Sequence, residues 1–446
     1  MSIEFLKNIF TEHSRKDAII FDNLRLSYFS LLKKIDFFES IIKSNNIKSH
    51  DVVGIVGDFS PNTVSLLLAL IENNSIIVPI SFNDKNLEFK LNKIAKVNYI
   101  FKFNNDEKFT ISDQKNDSNR IDYYNVIRKR NNPGLVLFSS GTSGEPKAAV
   151  HDFTKLLEKF KVRRKSLITI NFLLFDHWGG LNTMLHILSN AGTLVVAINR
   201  SPESICQLIE KNGVELLPSS PSFLNMLILS NSYKRFNLNS LKIISYGTEP
   251  MPKTTLKKLS SIFPNTLLQQ TYGLIELGVM RTKSESNGSL WLKIGGEGYS
   301  YRIKNGLLEI KAESAMLGYL NAPSPFTNDG WYMTGDQVET KGEYLKILGR
   351  TSEIINVGGD KVYPQEVENI ILQIENIADA TVYGEKNPIL GSIVCCKVSL
   401  IKKEEKRSVK DRIKSFCDSK LEKFKVPVKV VIANDLNIGQ RLKKKR

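Results

Sequence analysis

Cysteine is scarce. The four cysteines, Cys206, Cys395, Cys396 and Cys417, include no C-x-x-C pair, and two adjacent cysteines on a strand point to opposite faces. Neither a metal-binding nor a disulfide framework is therefore expected, and the thiols should be reduced. Long apolar runs are missing too. No stretch approaches the roughly 18 apolar residues of a membrane span, and the opening MSIEFLKNIFTEHSRK places charges inside its apolar run, unlike a secretory signal. A cytoplasmic chain without a membrane span is the expectation. No internal repeat is visible. The net charge is +16, of which residues 401–446 supply +10 from 16 basic and 6 acidic side chains. No aromatic residues interleave the final basic run, as a base-stacking surface would require, so no nucleic-acid partner is expected. Attraction of anionic ligands is the better use of that charge.

What is present is an ordinary soluble composition, 41% hydrophobic and 24% charged over 446 residues, a length that suggests two or three domains. DVVGIV (51–56) leads through SPNTVSLLLALIENN to SIIVPI (75–80), and TLVVAI (193–198) leads through SPESICQLIEKNG to VELLPSS. This strand–helix–strand alternation is that of parallel α/β units, with Asn62 or Ser60 and Ser201 as helix caps. From about residue 288 the texture changes to short strands with Gly, Asn and Asp turns, a β-rich subdomain over 288–349. An α+β pattern follows. The expected fold is α/β: a large N-terminal part (1–349) of parallel α/β sheets with the β-rich subdomain, and a small C-terminal α+β domain (350–446).

The segment LVLFSSGTSGEPKAAVHD (135–152) runs an apolar strand into a Gly/Ser-rich turn. Gly141 and Gly144 let successive N–H groups converge without Cβ clashes, a nest for phosphate oxygens. Ser139, Ser140, Thr142 and Ser143 add polar groups, and Lys147 adds a positive charge. The pattern is not the GxxxxGK[ST] loop, because no Lys-Ser/Thr pair follows the second glycine. A plain surface turn is the alternative for the loop taken alone.

SSGTSGEPK resembles the signature of the superfamily that joins acyl-CoA synthetases, peptide-synthetase adenylation domains and firefly luciferase. Further segments follow in that family's order: YGTEP (246–250), QTYGLIE (270–276), YMTGD (332–336) and GRTSEIINVGGDKVYPQEVE (349–368). The similarity covers nearly the whole chain and is closest to acyl-CoA synthetases. It implies an AMP-forming ligase that activates a carboxylic acid with ATP and Mg²⁺, then passes the acyl group to coenzyme A. Gly247, Thr248, Glu249, Pro250 and Gly273 would surround the nucleotide, with Tyr272 stacked on adenine. Asp336 and Arg350 would hold the ribose, and Glu276 with the Thr142 hydroxyl would hold Mg²⁺. One departure stands out: Ile275 occupies the place where the family has threonine, so a hydroxyl near the α-phosphate is missing.

In relatives a lysine near the C-terminus neutralises the α-phosphate. Counting without gaps from Leu436 places it at Lys443, with Arg446 keeping the K-x-x-R spacing. A register anchored on Gly439 would put Gln440 there instead. The resemblance also implies that the C-terminal domain is mobile, pivoting at Ser352 and bringing the loop around Gly358 and Gly359 to the thiol channel. Within NFLLFDHWGG, alignment with acyl-CoA synthetases puts His177 beside the acid carboxylate, whereas alignment with amino-acid-activating domains gives that part to Asp176. Two other functions stay open: loading of a separate carrier protein's phosphopantetheine with an amino acid or aryl acid, and nucleotide binding with impaired chemistry. Neither the acid nor the oligomeric state can be read from these residues.

Overall fold

The apolar runs Val52–Val56 and Ile76–Ile80 are buried at every position, as strands covered on both faces must be. In the computed structural model, which describes residues 3–118, 121–140 and 145–433, these two strands pair in parallel, flanked by Tyr99–Phe103 and Gly134–Ser140. The helix between them, Pro61–Glu72, starts at Ser60. The Ser60 hydroxyl accepts from Thr63 N while the Thr63 hydroxyl accepts from Ser60 N, and Pro61 follows. That reciprocal cap satisfies two orphan donors, and it selects Ser60 over Asn62. Pro146–Asp152, Gly318–Tyr319 and Phe109–Asp113 complete this seven-stranded sheet as antiparallel members.

A second seven-stranded sheet runs Leu267–Gln270, Ile243–Tyr246, Leu216–Ser219, Ile168–Asn171, Thr193–Val196, Asp17–Phe21 and Leu24–Ser27. Only the last strand is antiparallel to its neighbour. Thr193–Val196 and Leu216–Ser219 belong to one parallel sheet as their spacing predicts, but Ile168–Asn171 lies between them. Ser201 caps the connecting helix Pro202–Asn212, which ends at Gly213 with φ +61. Helices Tyr28–Ser44, Pro61–Glu72 and Trp178–Leu188 share one apolar core with the inner faces of both sheets. Helices Pro202–Asn212, Pro221–Ser230 and Lys253–Ile262 cover the outer face of the second sheet.

Six antiparallel strands between Arg281 and Arg350 form the β-rich sheet. It begins at Arg281, ahead of the 288 expected from composition, because Arg281–Ser284 is a polar strand that its ladder with Leu292–Gly295 holds in place. Beyond Arg350, the hairpin Ile377–Asn387/Gly391–Leu400, the parallel strand Lys429–Ala433 and helices Pro364–Ile371 and Lys406–Asp418 enclose a core of their own. Asn225 Nδ2 donates to Ala378 O at 3.0 Å, and Lys253 N to Asn369 Oδ1 at 3.0 Å, so two bonds join this unit to helices of the larger part. All four cysteines are buried free thiols. Among the described residues no helix is long and apolar enough to cross a membrane.

Candidate active site

A cavity of about 750 Å³ opens beside the second sheet. Because side chains alternate along a strand, Leu216 and Pro218, Ile243 and Ser245, Gln269 and Thr271 all face it from three parallel strands. Helix Trp178–Leu188 forms another wall, and Tyr319, Tyr332 and Arg350 close it from the β-rich side.

At one end the strand Ile243–Tyr246 stops at Gly247, which lies against Thr271. A Cβ on Gly247 would sit 2.3 Å from Thr271 Oγ1 and 2.8 Å from its carbonyl oxygen, so only glycine fits. Thr248 follows with φ +73, a left-handed backbone that a β-branched residue rarely adopts. Such strain costs about 1–3 kcal/mol and clusters at ligand sites. Both residues line the cavity. Glu249 turns differently: its Oε1 accepts from Ser222 N at 2.8 Å, at the start of helix Pro221–Ser230. Pro250 follows it.

Tyr272, expected to stack on adenine, is 9% exposed and not part of the wall, while its neighbours Thr271, Gly273, Leu274 and Ile275 reach the cavity. Its hydroxyl donates to Asp336 Oδ2 at 2.5 Å, and Arg350 Nε donates to Asp336 Oδ1 at 3.3 Å. Asp336 and Arg350 are register partners on adjacent strands, which is why two residues distant in sequence meet. Burial raises the Asp336 pKa, opposed by Arg350 and by the Tyr272 hydroxyl. Burial together with the Asp336 charge pushes the Tyr272 phenol well above its ordinary value.

Glu276 is buried and faces the cavity, its Oε1 accepting from the Tyr319 hydroxyl at 2.5 Å. Lys147 Nζ lies 5.7 Å from the centre of the Tyr319 ring, and Ser139 pairs with Lys147 in the strand ladder. Both line the same space. A buried carboxylate with hard oxygen donors suits Mg²⁺, so Glu276 fits the metal. Its expected partner Thr142, with Gly141, Ser143 and Gly144, lies outside the described residues, as do Lys443 and Gln440. Of Ser140 only the backbone, the end of a strand, is described.

His177 caps helix Trp178–Leu188, its Nδ1 accepting from Gly179 N at 3.0 Å. That bond leaves the proton of the neutral ring on Nε2. His177, Trp178 and Gly179 line the cavity, whereas Asp176 is buried outside its wall. Phe175 is committed to packing, edge-on to Phe59 at 5.1 Å. Gly180 packs so tightly that a Cβ would lie 2.2 Å from Leu174 O. Ser352 is exposed in the turn Thr351–Glu353. Gly358 and Gly359, with φ +61 and +100, form the two-residue turn of the hairpin Ile355–Val357/Asp360–Val362, a turn that wants positive φ at both positions. They are not part of the cavity wall.

Sequence reasoning passed over Lys159 and His186. Lys159 stands in LLEKFK, which reads as an ordinary solvated charge, yet it lines the cavity. Desolvation and the nearby Arg281 charge bring its pKa down to about 7. Burial, with Lys159 and Arg164, lowers His186 to about 4.

A family model described as AMP-binding enzyme matches residues 6–290, and one described as AMP-binding enzyme C-terminal domain matches residues 366–441. VraA of Staphylococcus epidermidis, whose name assigns it as a long chain fatty acid-CoA ligase, is 24% identical over 96% of this chain and 93% of its own. The 3,4-dihydroxybenzoate–[aryl-carrier protein] ligase of Bacillus anthracis is 26% identical over 70% of this chain and 72% of its own. Other curated relatives match over 64% and 65% of their own length. The crystal structure of the anthranilate CoA ligase AuaEII with anthranoyl-AMP superposes with a TM-score of 0.83 at 16% identity, covering 99% of this chain and 95% of that one.

Proposed function

The chain belongs to the AMP-binding enzyme family, within the superfamily of AMP-forming acid–thiol ligases and related adenylating enzymes, and we propose that it converts a carboxylic acid and ATP to an acyl-adenylate and then to an acyl-CoA thioester. In the first step a carboxylate oxygen of the acid attacks the α-phosphorus, the bond from that phosphorus to the bridging oxygen breaks, and pyrophosphate leaves. In the second, the thiol sulfur of coenzyme A attacks the acyl carbonyl carbon, AMP departs with the mixed-anhydride oxygen, and the thiol proton is released. The protein forms no covalent bond; its work is positioning and charge stabilisation.

The observation that carries this reading is the linked set Tyr272–Asp336–Arg350: Arg350 lines the cavity with Glu276, while Tyr272 and Asp336 are buried behind the wall and the Glu276 charge acts on Asp336. A carboxylate offers about four lone-pair sites. Asp336 uses two on Tyr272 and Arg350, so two remain for the ribose hydroxyls. Adenine lies against Gly247, Thr248 and Gly273, with Tyr272 behind them fixing Asp336. Glu276 and Thr142 would hold Mg²⁺, which would offset phosphate charge. Ser139, Ser140, Gly141, Thr142, Ser143 and Gly144 bind the phosphates with Lys147. Lys443 supplies a cation at the α-phosphate. The His177 Nε2–H points the acid carboxylate toward phosphorus, while Ser352 and the Gly358–Gly359 turn serve the thiol step.

Transfer to the phosphopantetheine of a separate carrier protein is the second reading, supported by the similarity to the aryl-carrier-protein ligase. ATP–pyrophosphate exchange over a panel of acids tests the first step, and adding coenzyme A or a carrier protein bearing free phosphopantetheine tests the second. Exchange with at least one acid is expected. Absence of exchange with every acid would leave a nucleotide-binding protein without the chemistry.

A further inference from the structure

Resting on the adenylation reading, one end of the cavity carries charge that this chemistry does not use. Lys159 Nζ hydrogen-bonds two neutral oxygens, Asn182 Oδ1 and, at 2.9 Å, the Val279 carbonyl. An ammonium has three donors, so one is left without an acceptor among the described residues. No carboxylate forms an ion pair with it there either. Its other close neighbours are aromatic, with Phe160 and Trp178 ring centres 5.0 and 6.0 Å away. The charges around it have its own sign: Arg281 acts on Lys159, and Lys159 with Arg164 acts on His186. Glu276 is the sole acidic residue of the described wall; it is bonded by Tyr319 and is not among the charges acting on Lys159. A half-buried ammonium bonded only to neutral oxygens has no counter-ion among the described residues, and a carboxylate entering the cavity would supply one.

We propose that the acid activated by this enzyme carries a second carboxylate, and that Lys159, supported by Arg281, receives it. The substrate class is then a dicarboxylic acid, with one carboxylate activated near His177 and the other held at Lys159. An unsubstituted alkyl acid of the same length would place methyl groups against that ammonium and leave it unpaired. Such a site discriminates strongly against an analogue that lacks the group it binds.

The test uses matched pairs of equal carbon count: succinate with butyrate, adipate with hexanoate, terephthalate with 4-methylbenzoate. Each acid is measured by ATP–pyrophosphate exchange and, separately, by calorimetric binding to the full chain. The wild type should favour at least one diacid over its partner by roughly 100-fold in kcat/KM. Lys159→Met should cut that diacid by a similar factor and raise the monoacid, reversing the order. Arg281 is an exposed strand residue, so Arg281→Gln should fold even if Lys159→Met does not, and should lower the diacid preference several-fold. A wild-type preference for monoacids throughout, or a diacid preference untouched by both variants, overturns the proposal while leaving adenylation intact. Diacid binding that is lost in Lys159→Met, with no exchange for any acid, upholds Lys159 as the carboxylate site and overturns the adenylation reading on which the substrate assignment rests. Neither binding nor exchange with any diacid overturns it outright.

Discussion

The Tyr272 hydroxyl donates to Asp336 Oδ2 at 2.5 Å across 64 residues of sequence. This bond joins the QTYGLIE segment to the strand Tyr332–Lys341 and makes a single unit of what the sequence shows as two separate motifs.

Tyr272→Phe keeps the ring and removes the donor. Asp336 would then rest on Arg350 alone, at 3.3 Å. Leaving a buried acceptor short of a donor costs about 1–3 kcal/mol, so the melting temperature should fall and the KM for ATP should rise. Unchanged values of both would show that this bond supports neither the fold nor the nucleotide site.

Ile275 is half-buried, lines the cavity and precedes Glu276. Ile275→Thr restores a hydroxyl where the family carries one. One donor aimed at developing charge is worth on the order of 100-fold in rate, and the lost methyl groups should cost only about 1 kcal/mol. Single-turnover adenylate formation should therefore accelerate. A rate equal to that of the wild type would mean that a neighbouring donor already fills the role.

Lys443→Ala should abolish adenylate formation in a folded protein, a loss of about 100-fold or more, with Gln440→Ala doing far less. Small, equal effects of the two substitutions would reduce the basic end of the chain to solubilising charge.

Diacid binding should be linked to protons through Lys159. Free, this lysine titrates near 7 because burial and Arg281 disfavour its charged form. A bound carboxylate favours that form and raises the pKa. At pH 8, binding should thus take up close to one proton, and diacid affinity should fall as pH rises through about 7. His186, lowered to about 4, stays neutral over this range. Calorimetry in two buffers of different ionisation enthalpy reads the uptake, which should vanish in Lys159→Met. No uptake by the wild type would separate Lys159 from the second carboxylate.

The sequence by itself determined what depends on neighbours along the chain. Fully apolar runs became buried parallel strands, Ser60 and Ser201 became caps through bonds to residues three positions on, and Gly358–Gly359 became a hairpin turn because their backbone angles are local. Glu276, Asp336 and Arg350 stood out through the resemblance of their short segments to a family, a signal that is also local along the chain. Tertiary structure decided which side chains meet. Tyr319 reaches Glu276 across 43 residues, and no spacing announces it. His177 reaches the cavity wall as the cap of its helix, while Asp176 is buried outside that wall. Lys159 looks like any surface lysine until Asn182, Val279 and Trp178 fold around it. Burial and the sign of neighbouring charge are sums over the folded chain, and they alone turn that lysine into a specificity-determining residue.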